Sequence, residues 1–141
     1  MAYTRATTQS CPAPCDPGVL TVLVNTVAAA SANDRIIKIP WNNCKLVYGY
    51  TVVTTKVNSK ATLNVDLERT AAGGTLLGTA TQAKSAAVGT VVEFTMATVT
   101  TSVTEDHFKF DDSGLLNLEV TGASSAAGQV LVYLFFEPTI Y

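Results

Sequence analysis

The stretch Ala61-Thr62-Leu63-Asn64-Val65-Asp66-Leu67-Glu68 alternates apolar and polar at every position. Side chains on a β-strand point to opposite faces in turn. Ala61, Leu63, Val65 and Leu67 are therefore expected on a buried face, and Thr62, Asn64, Asp66 and Glu68 on a wet one. Leu116, Leu118 and Val120 against Asn117, Glu119 and Thr121 repeat the pattern. Val92, Phe94 and Met96 against Glu93 and Thr95 do so a third time. Strands wet on one side and dry on the other belong to antiparallel sheets packed over a core, so the chain reads as all-β.

Working outward, further strand runs are Val19–Val27, Arg35–Trp41, Lys45–Val57, Thr75–Thr81, His107–Phe110 and Val130–Glu137. Turn signals separate them at Asn42-Asn43, Asn58-Ser59, Gly73-Gly74, Asp111-Asp112-Ser113-Gly114 and 124–128. The alanine clusters abut Gly, Ser or Asn, and the flanking Val and Thr lose side-chain freedom in helices, so only 27–33 is left as a candidate helical turn. About nine strands in roughly 120 residues predict an antiparallel β-sandwich. An eight-stranded jelly roll fits that count best. The rival, an immunoglobulin-like sandwich, often carries a Cys…Trp…Cys spacing, which is missing because Trp41 directly precedes the Asn-Asn-Cys44 turn. Residues 1–17, with Pro12, Pro14 and Pro17 and no apolar period, read as an extended arm, and 18–141 as a single sandwich domain.

Composition narrows the function classes. The chain has 141 residues, enough for one domain that buries roughly two-thirds of its unfolded surface. Only 14% are charged, against about a quarter in ordinary globular chains. With 21 Thr and 18 Ala, polar surface must come from hydroxyls and small side chains. The net charge is −2, and no two adjacent residues are both Lys or Arg, so no basic stripe addresses a nucleic acid. The most apolar run, Gly18 to Ala32, is interrupted by Thr21, Asn25, Thr26 and Ser31, so no membrane span is expected. Met1-Ala2-Tyr3-Thr4-Arg5 opens no apolar leader, which predicts synthesis and folding in a cytoplasm.

Catalytic groups are scarce. His107 is the sole histidine, no G-x-S-x-G elbow exists, and Asp66/Glu68 sit where solvated carboxylates belong. Glu105-Asp106 and Asp111-Asp112 around His107 lack cation-loop spacing and read as a solvated loop. Cys11, Cys15 and Cys44 are expected as free thiols. A Cys11–Cys15 disulfide, or zinc completed by Cys44 and His107, are the rivals. No catalytic residue, cofactor or metal is expected, and the chain reads as a non-enzyme.

Val130-Leu131-Val132-Tyr133-Leu134-Phe135-Phe136 is apolar on both faces, where a sandwich strand should be wet on one. Lys45–Val57 shows the same doubling, with Tyr48, Tyr50 and Val52 on one parity and Val47 and Val53 on the other. Either the chain covers its own outer face, or Leu131, Tyr133, Phe135, Tyr48 and Tyr50 form a subunit or partner contact. Two such strands favour the contact. A different use of the aromatics is carbohydrate or receptor binding, with Trp41 beside Asn42 and Asn43 and Tyr48 and Tyr50 following.

The leaderless start, the Pro-rich arm and the Ala/Thr/Val/Gly-rich strands make the chain similar to a known group. So does the closing pair Leu115-Leu116-Asn117-Leu118-Glu119-Val120-Thr121-Gly122 and Gly128-Gln129-Val130-Leu131-Val132-Tyr133-Leu134-Phe135. It resembles the jelly-roll cement or decoration proteins of short-tailed bacteriophages with HK97-like shells. The resemblance implies a structural virion protein on the capsid exterior, bound to the major capsid protein and stapling its neighbours, and self-associated as a dimer or trimer. It also implies that the arm with Pro12 and Pro14 lies along a neighbouring subunit.

Overall fold

The computed structural model describes residues 18–26, 35–57, 59–70, 74–111, 114–124 and 128–139. The arm 1–17 with Cys11, Pro12, Pro14 and Cys15, and the candidate helical turn at 27–33, lie outside the described residues. Among these the chain forms β1 (Val19–Asn25), β2 (Arg35–Lys38), β3 (Cys44–Thr55), β4 (Ser59–Arg69), β5 (Thr75–Gln82), β6 (Val91–Glu93), β7 (Thr95–Met96), β8 (Lys109–Phe110), β9 (Leu115–Ser124) and β10 (Gln129–Pro138). All pairings are antiparallel.

The pairings nest. β1 pairs β10, β2 pairs β9, β3 pairs β8 and β4 pairs β5, like the two arms of one long hairpin wound into two layers. The first sheet runs β1-β10-β3-β6 with β8 also against β3, and the second runs β2-β9-β4-β5-β7. Successive outer strands thus alternate between the sheets, which is jelly-roll strand order and not an immunoglobulin one.

One expected strand is two. The run from Val92 to Met96 keeps its alternation, but Phe94 leaves the first sheet and Thr95 joins the second. The Phe94 N–H donates to the Gly49 carbonyl of β3 (2.9 Å), and the Ala97 N–H donates to that of Leu77 on β5 (2.8 Å). Gly49 makes the crossing feasible, since a Cβ there would stand 2.8 Å from the Tyr133 carbonyl oxygen and 3.1 Å from the Phe94 ring.

The expected strand His107–Phe110 is half helical: Glu105–Phe108 is a single 3-10 turn and only Lys109–Phe110 pair as β8. The turn forms because the Thr104 N–H donates to His107 Nδ1 (3.0 Å) while the His107 N–H donates to the Thr104 carbonyl (3.1 Å). Arg69 anchors it from β4. Its guanidinium donates to the His107 and Lys109 carbonyls and lies 4.3 Å over the Phe110 ring.

The core fills from both inner faces. Leu46, Val53, Val130, Val132 and Leu134 of the first sheet meet Leu63, Val65, Leu67, Leu116, Leu118 and Val120 of the second, all buried. The alternation read from β4 and β9 therefore holds for these residues. Two polar partners depart from it. Glu68, expected in water, is only 6% exposed: the ladder slips by one residue after Leu67, and the Gly74 N–H donates to Glu68 Oε1 (3.2 Å). Asn117, opposite Glu68 on β9, is also buried.

A buried polar bridge crosses the core. Gln82 Nε2 on β5 donates to Thr51 Oγ1 on β3 (2.7 Å), which donates on to the Val92 carbonyl (3.2 Å). This ties the sheets in one register. Thr51→Val should destabilise the chain by about 1–3 kcal/mol, the cost of leaving a buried amide unpaired. Adding Gln82→Met should recover part of that loss in urea unfolding. Additive losses in the double variant would show that the bridge contributes nothing of its own.

Candidate contact surface

The outer face of the first sheet is a grid set by strand register. Val19, Phe135 and Tyr48 form one row across β1, β10 and β3. Thr21, Tyr133, Tyr50 and Glu93 form the next, reaching β6. Leu23, Leu131, Val52 and Val91 form the third. Every position but Thr21 and Glu93 is apolar or aromatic. Val19, Leu23, Tyr48 and Val91 are exposed, and Leu131, Tyr133, Phe135, Tyr50 and Val52 are half-buried.

The register thus gathers the five doubly apolar side chains singled out in the sequence. Tyr50 stacks on Tyr133 at 4.9 Å between ring centroids, Tyr48 meets Phe135 at 5.3 Å, and Tyr50 meets Phe135 at 5.9 Å. These rings shield one another sideways, which is why most are half-buried. Cross-strand aromatic pairs of this kind each stabilise a sheet by up to about 1 kcal/mol. Partial desolvation and the nearby Glu93 carboxylate raise the Tyr48 phenol above its ordinary value.

The opposite parity of Val47 has a local cause. Phe135 faces Tyr48 and Phe136 faces Leu46, so Val47 is an extra residue at a β-bulge. The bulge resets the parity, letting Cys44 and Leu46 face the core before it and Thr51 and Val53 after it. Its odd-numbered aromatic neighbours on β10 stay outside.

Polar residues bound the grid at one end, where Gln129 Nε2 donates to Asn25 Oδ1 (2.9 Å) and Thr55 Oγ1 donates to Gln129 Oε1 (3.2 Å). At the other end Lys45 pairs with Glu105 (3.0 Å). The outer face of the second sheet is different in kind. There Thr79 Oγ1 donates to Asp66 Oδ1 (2.7 Å) and Thr81 Oγ1 to Asn64 Oδ1 (2.8 Å), with Glu119 and Thr121 alongside. One side of the sandwich is aromatic; the other joins these polar pairs to a separate aliphatic group, the exposed Ile36, Leu76 and Leu115 around Asn117 and Glu68.

Strand spacing and rise give the apolar grid a footprint of about 400 Å². That lies within the range of about 300–600 Å² for the largest, often functional, patch on a monomer. Sequence reading missed its flanks, Val19, Leu23 and Val91, because only strand order shows that β1 and β6 border β10 and β3.

The carbohydrate constellation does not assemble. Trp41 is 9% exposed and packs on Phe136 (5.4 Å), on the core side, whereas Tyr48 and Tyr50 face outward. Asn43 adopts the left-handed conformation (φ 55°) of the turn, and its carbonyl accepts from the Thr139 N–H (2.9 Å). An open pocket of about 220 Å³ is lined by Leu46, Val47, Met96, Val99 and Phe108 together with Lys45 and Glu105. Among the described residues no three His, Cys, Asp or Glu side chains converge on a common point, and no helix is long and apolar enough to cross a membrane.

No protein-family model and no curated protein matches the sequence. Among solved structures the chain is similar to one in the capsid of Ralstonia phage GP4, with a TM-score of 0.47 and 17% identity over 92% of this chain and 91% of that one. At that identity and TM-score the likeness says nothing about what this chain binds.

Cys44 is a buried free thiol whose Sγ lies 3.8 Å from the Trp41 carbonyl, and burial pushes its pKa from 9.0 up to about 11. In a Cys11→Ser/Cys15→Ser variant at pH 8, Cys44 should resist iodoacetamide when folded, with about one thiol in a thousand ionised, and react fully in urea. Because the folded value is the higher one, the neutral thiol adds stability below pH 9 that is lost as pH rises towards 11. Rapid alkylation of the folded chain would contradict this burial.

Proposed function

We propose that the chain is a structural, non-enzymatic virion protein of a tailed bacteriophage. It acts as a cement or decoration protein on the outside of the capsid lattice, stapling neighbouring major capsid subunits. The observation that carries this reading is the grid of packed aromatic rings and aliphatic side chains on the outer face of the first sheet. The sequence resemblance supplies the class of partner, and the face supplies the means of docking. Tyr48, Tyr50, Leu131, Tyr133 and Phe135 lie against the shell or a second copy, and the hydroxyl-rich sheet faces solvent.

Magnitudes show what one face can do. The nine apolar positions of the grid cover about 330 Å², whose burial yields roughly 8 kcal/mol at about 25 cal/mol per Å². Association costs about 4–15 kcal/mol in lost rigid-body freedom. A single face is therefore marginal and needs added contact. Residues 1–17 supply one source on this reading, lying with Pro12 and Pro14 along a neighbouring capsid subunit.

The test is co-sedimentation with shells assembled from the major capsid protein encoded in the same genome. Tyr133→Asp should weaken binding about 30-fold or more, as removal of a central aromatic anchor does, while thermal unfolding shows the sandwich intact. Wild-type affinity in that variant would contradict docking through this face. Deleting residues 2–16 should lower occupancy, and unchanged occupancy would contradict the role of the arm.

A further inference from the structure

We infer that β1 pairs edge to edge with β1 of a second copy, joining two first sheets across a two-fold axis. β1 ends the first sheet among the described residues. The Thr26 N–H donates to the Gly128 carbonyl (2.9 Å) and the Phe136 N–H to that of Gly18 (2.9 Å). With the unbroken register between them, Gly18, Leu20, Val22, Val24 and Thr26 direct their backbone groups at β10. Val19, Thr21, Leu23 and Asn25 therefore direct theirs at the open edge.

Edges are ordinarily blunted by charge, proline or a bulge, and Val-Leu-Thr-Val-Leu-Val-Asn has none of these. Arg35 Nη1 donates to the Leu23 carbonyl (2.8 Å), yet a carbonyl oxygen keeps a second lone pair for a ladder bond. The strand is its own complement. Antiparallel pairing centred on Thr21 sets Val19 against Leu23 of the partner subunit, with every edge-directed group from 19 to 23 engaged and no like charges opposed.

A second copy is favoured over other occupants by continuity and area. Val19 and Leu23 are at once the edge residues and the border of the apolar grid, so pairing sets the two grids side by side as one surface. The footprint rises to about 800 Å², which is what one partner brings to a standard stable interface. One copy supplies about half of that. The use of the doubled surface rests on the docking role proposed above, whereas the pairing itself does not.

The test uses the full chain without shells. Sedimentation from about 1 to 100 µM should show a reversible dimer, and amide exchange of Thr21 should slow as the dimer forms. Thr21→Pro removes an edge-directed N–H that bonds nothing in β10, so the monomer keeps its ladder. It should weaken the dimer at least about tenfold, two bonds being lost per symmetric pair. A chain that stays monomeric over this range overturns the inference, as does a dimer whose Thr21 amide exchanges freely. If Thr21→Pro fails to fold, the wild-type exchange measurement still decides. Shell binding is read separately, so a dimer that ignores shells would sink the docking role and leave the pairing standing.

Discussion

The stacking of Tyr50 on Tyr133 follows from where their strands lie. β10 is clamped between β1 and β3, so its backbone groups are spent on two neighbours and only its two faces remain to be assigned. Val130, Val132, Leu134 and Phe136 take the inner face and complete the core. Leu131, Tyr133 and Phe135 are left outside by the period of a strand, opposite Val52, Tyr50 and Tyr48. The bulge at Val47 keeps this match while letting Leu46 turn inward. Without that extra residue, either Leu46 or Tyr48 would face the wrong way.

From this constraint comes the two-sided character of the molecule. The second sheet presents cross-strand hydroxyl–carboxylate and hydroxyl–amide pairs, Thr79 to Asp66 and Thr81 to Asn64, which cost little side-chain freedom. The first presents rings. An aromatic face with few long charged side chains has little to order or desolvate on contact with another surface. The low charge noted in the sequence thus has a place in the structure.

Much of the fold was legible because alternation is a direct image of burial. Leu63, Val65, Leu67, Leu116, Leu118 and Val120 all face the core as their spacing predicts. The double apolarity of 130–136 likewise anticipates an apolar outer face on the first sheet. What stayed hidden was non-local. That Phe94 is a crossing point depends on Gly49, forty-five positions earlier in the chain and facing it across a strand. Glu68 looks like a solvated carboxylate until the register slip after Leu67 and the Gly74 N–H are seen to hold it in a buried place. Trp41 beside two asparagines looks like a sugar platform until Phe136, far along the chain, is seen to bury it. The 3-10 turn at Glu105–Phe108 depends on a side-chain acceptor, His107 Nδ1, that periodicity does not report.

On the proposed function, the aromatic face of the first sheet, and not the outer face of the second, meets the capsid. Electron cryo-microscopy of shells decorated with the full chain tests it most directly, through the orientation of the sandwich on the lattice. The account predicts Tyr48, Tyr50 and Tyr133 against the capsid surface, with Asp66 and Thr79 turned to solvent. A sandwich bound by its second sheet, with the three tyrosines exposed on the virion exterior, would contradict it.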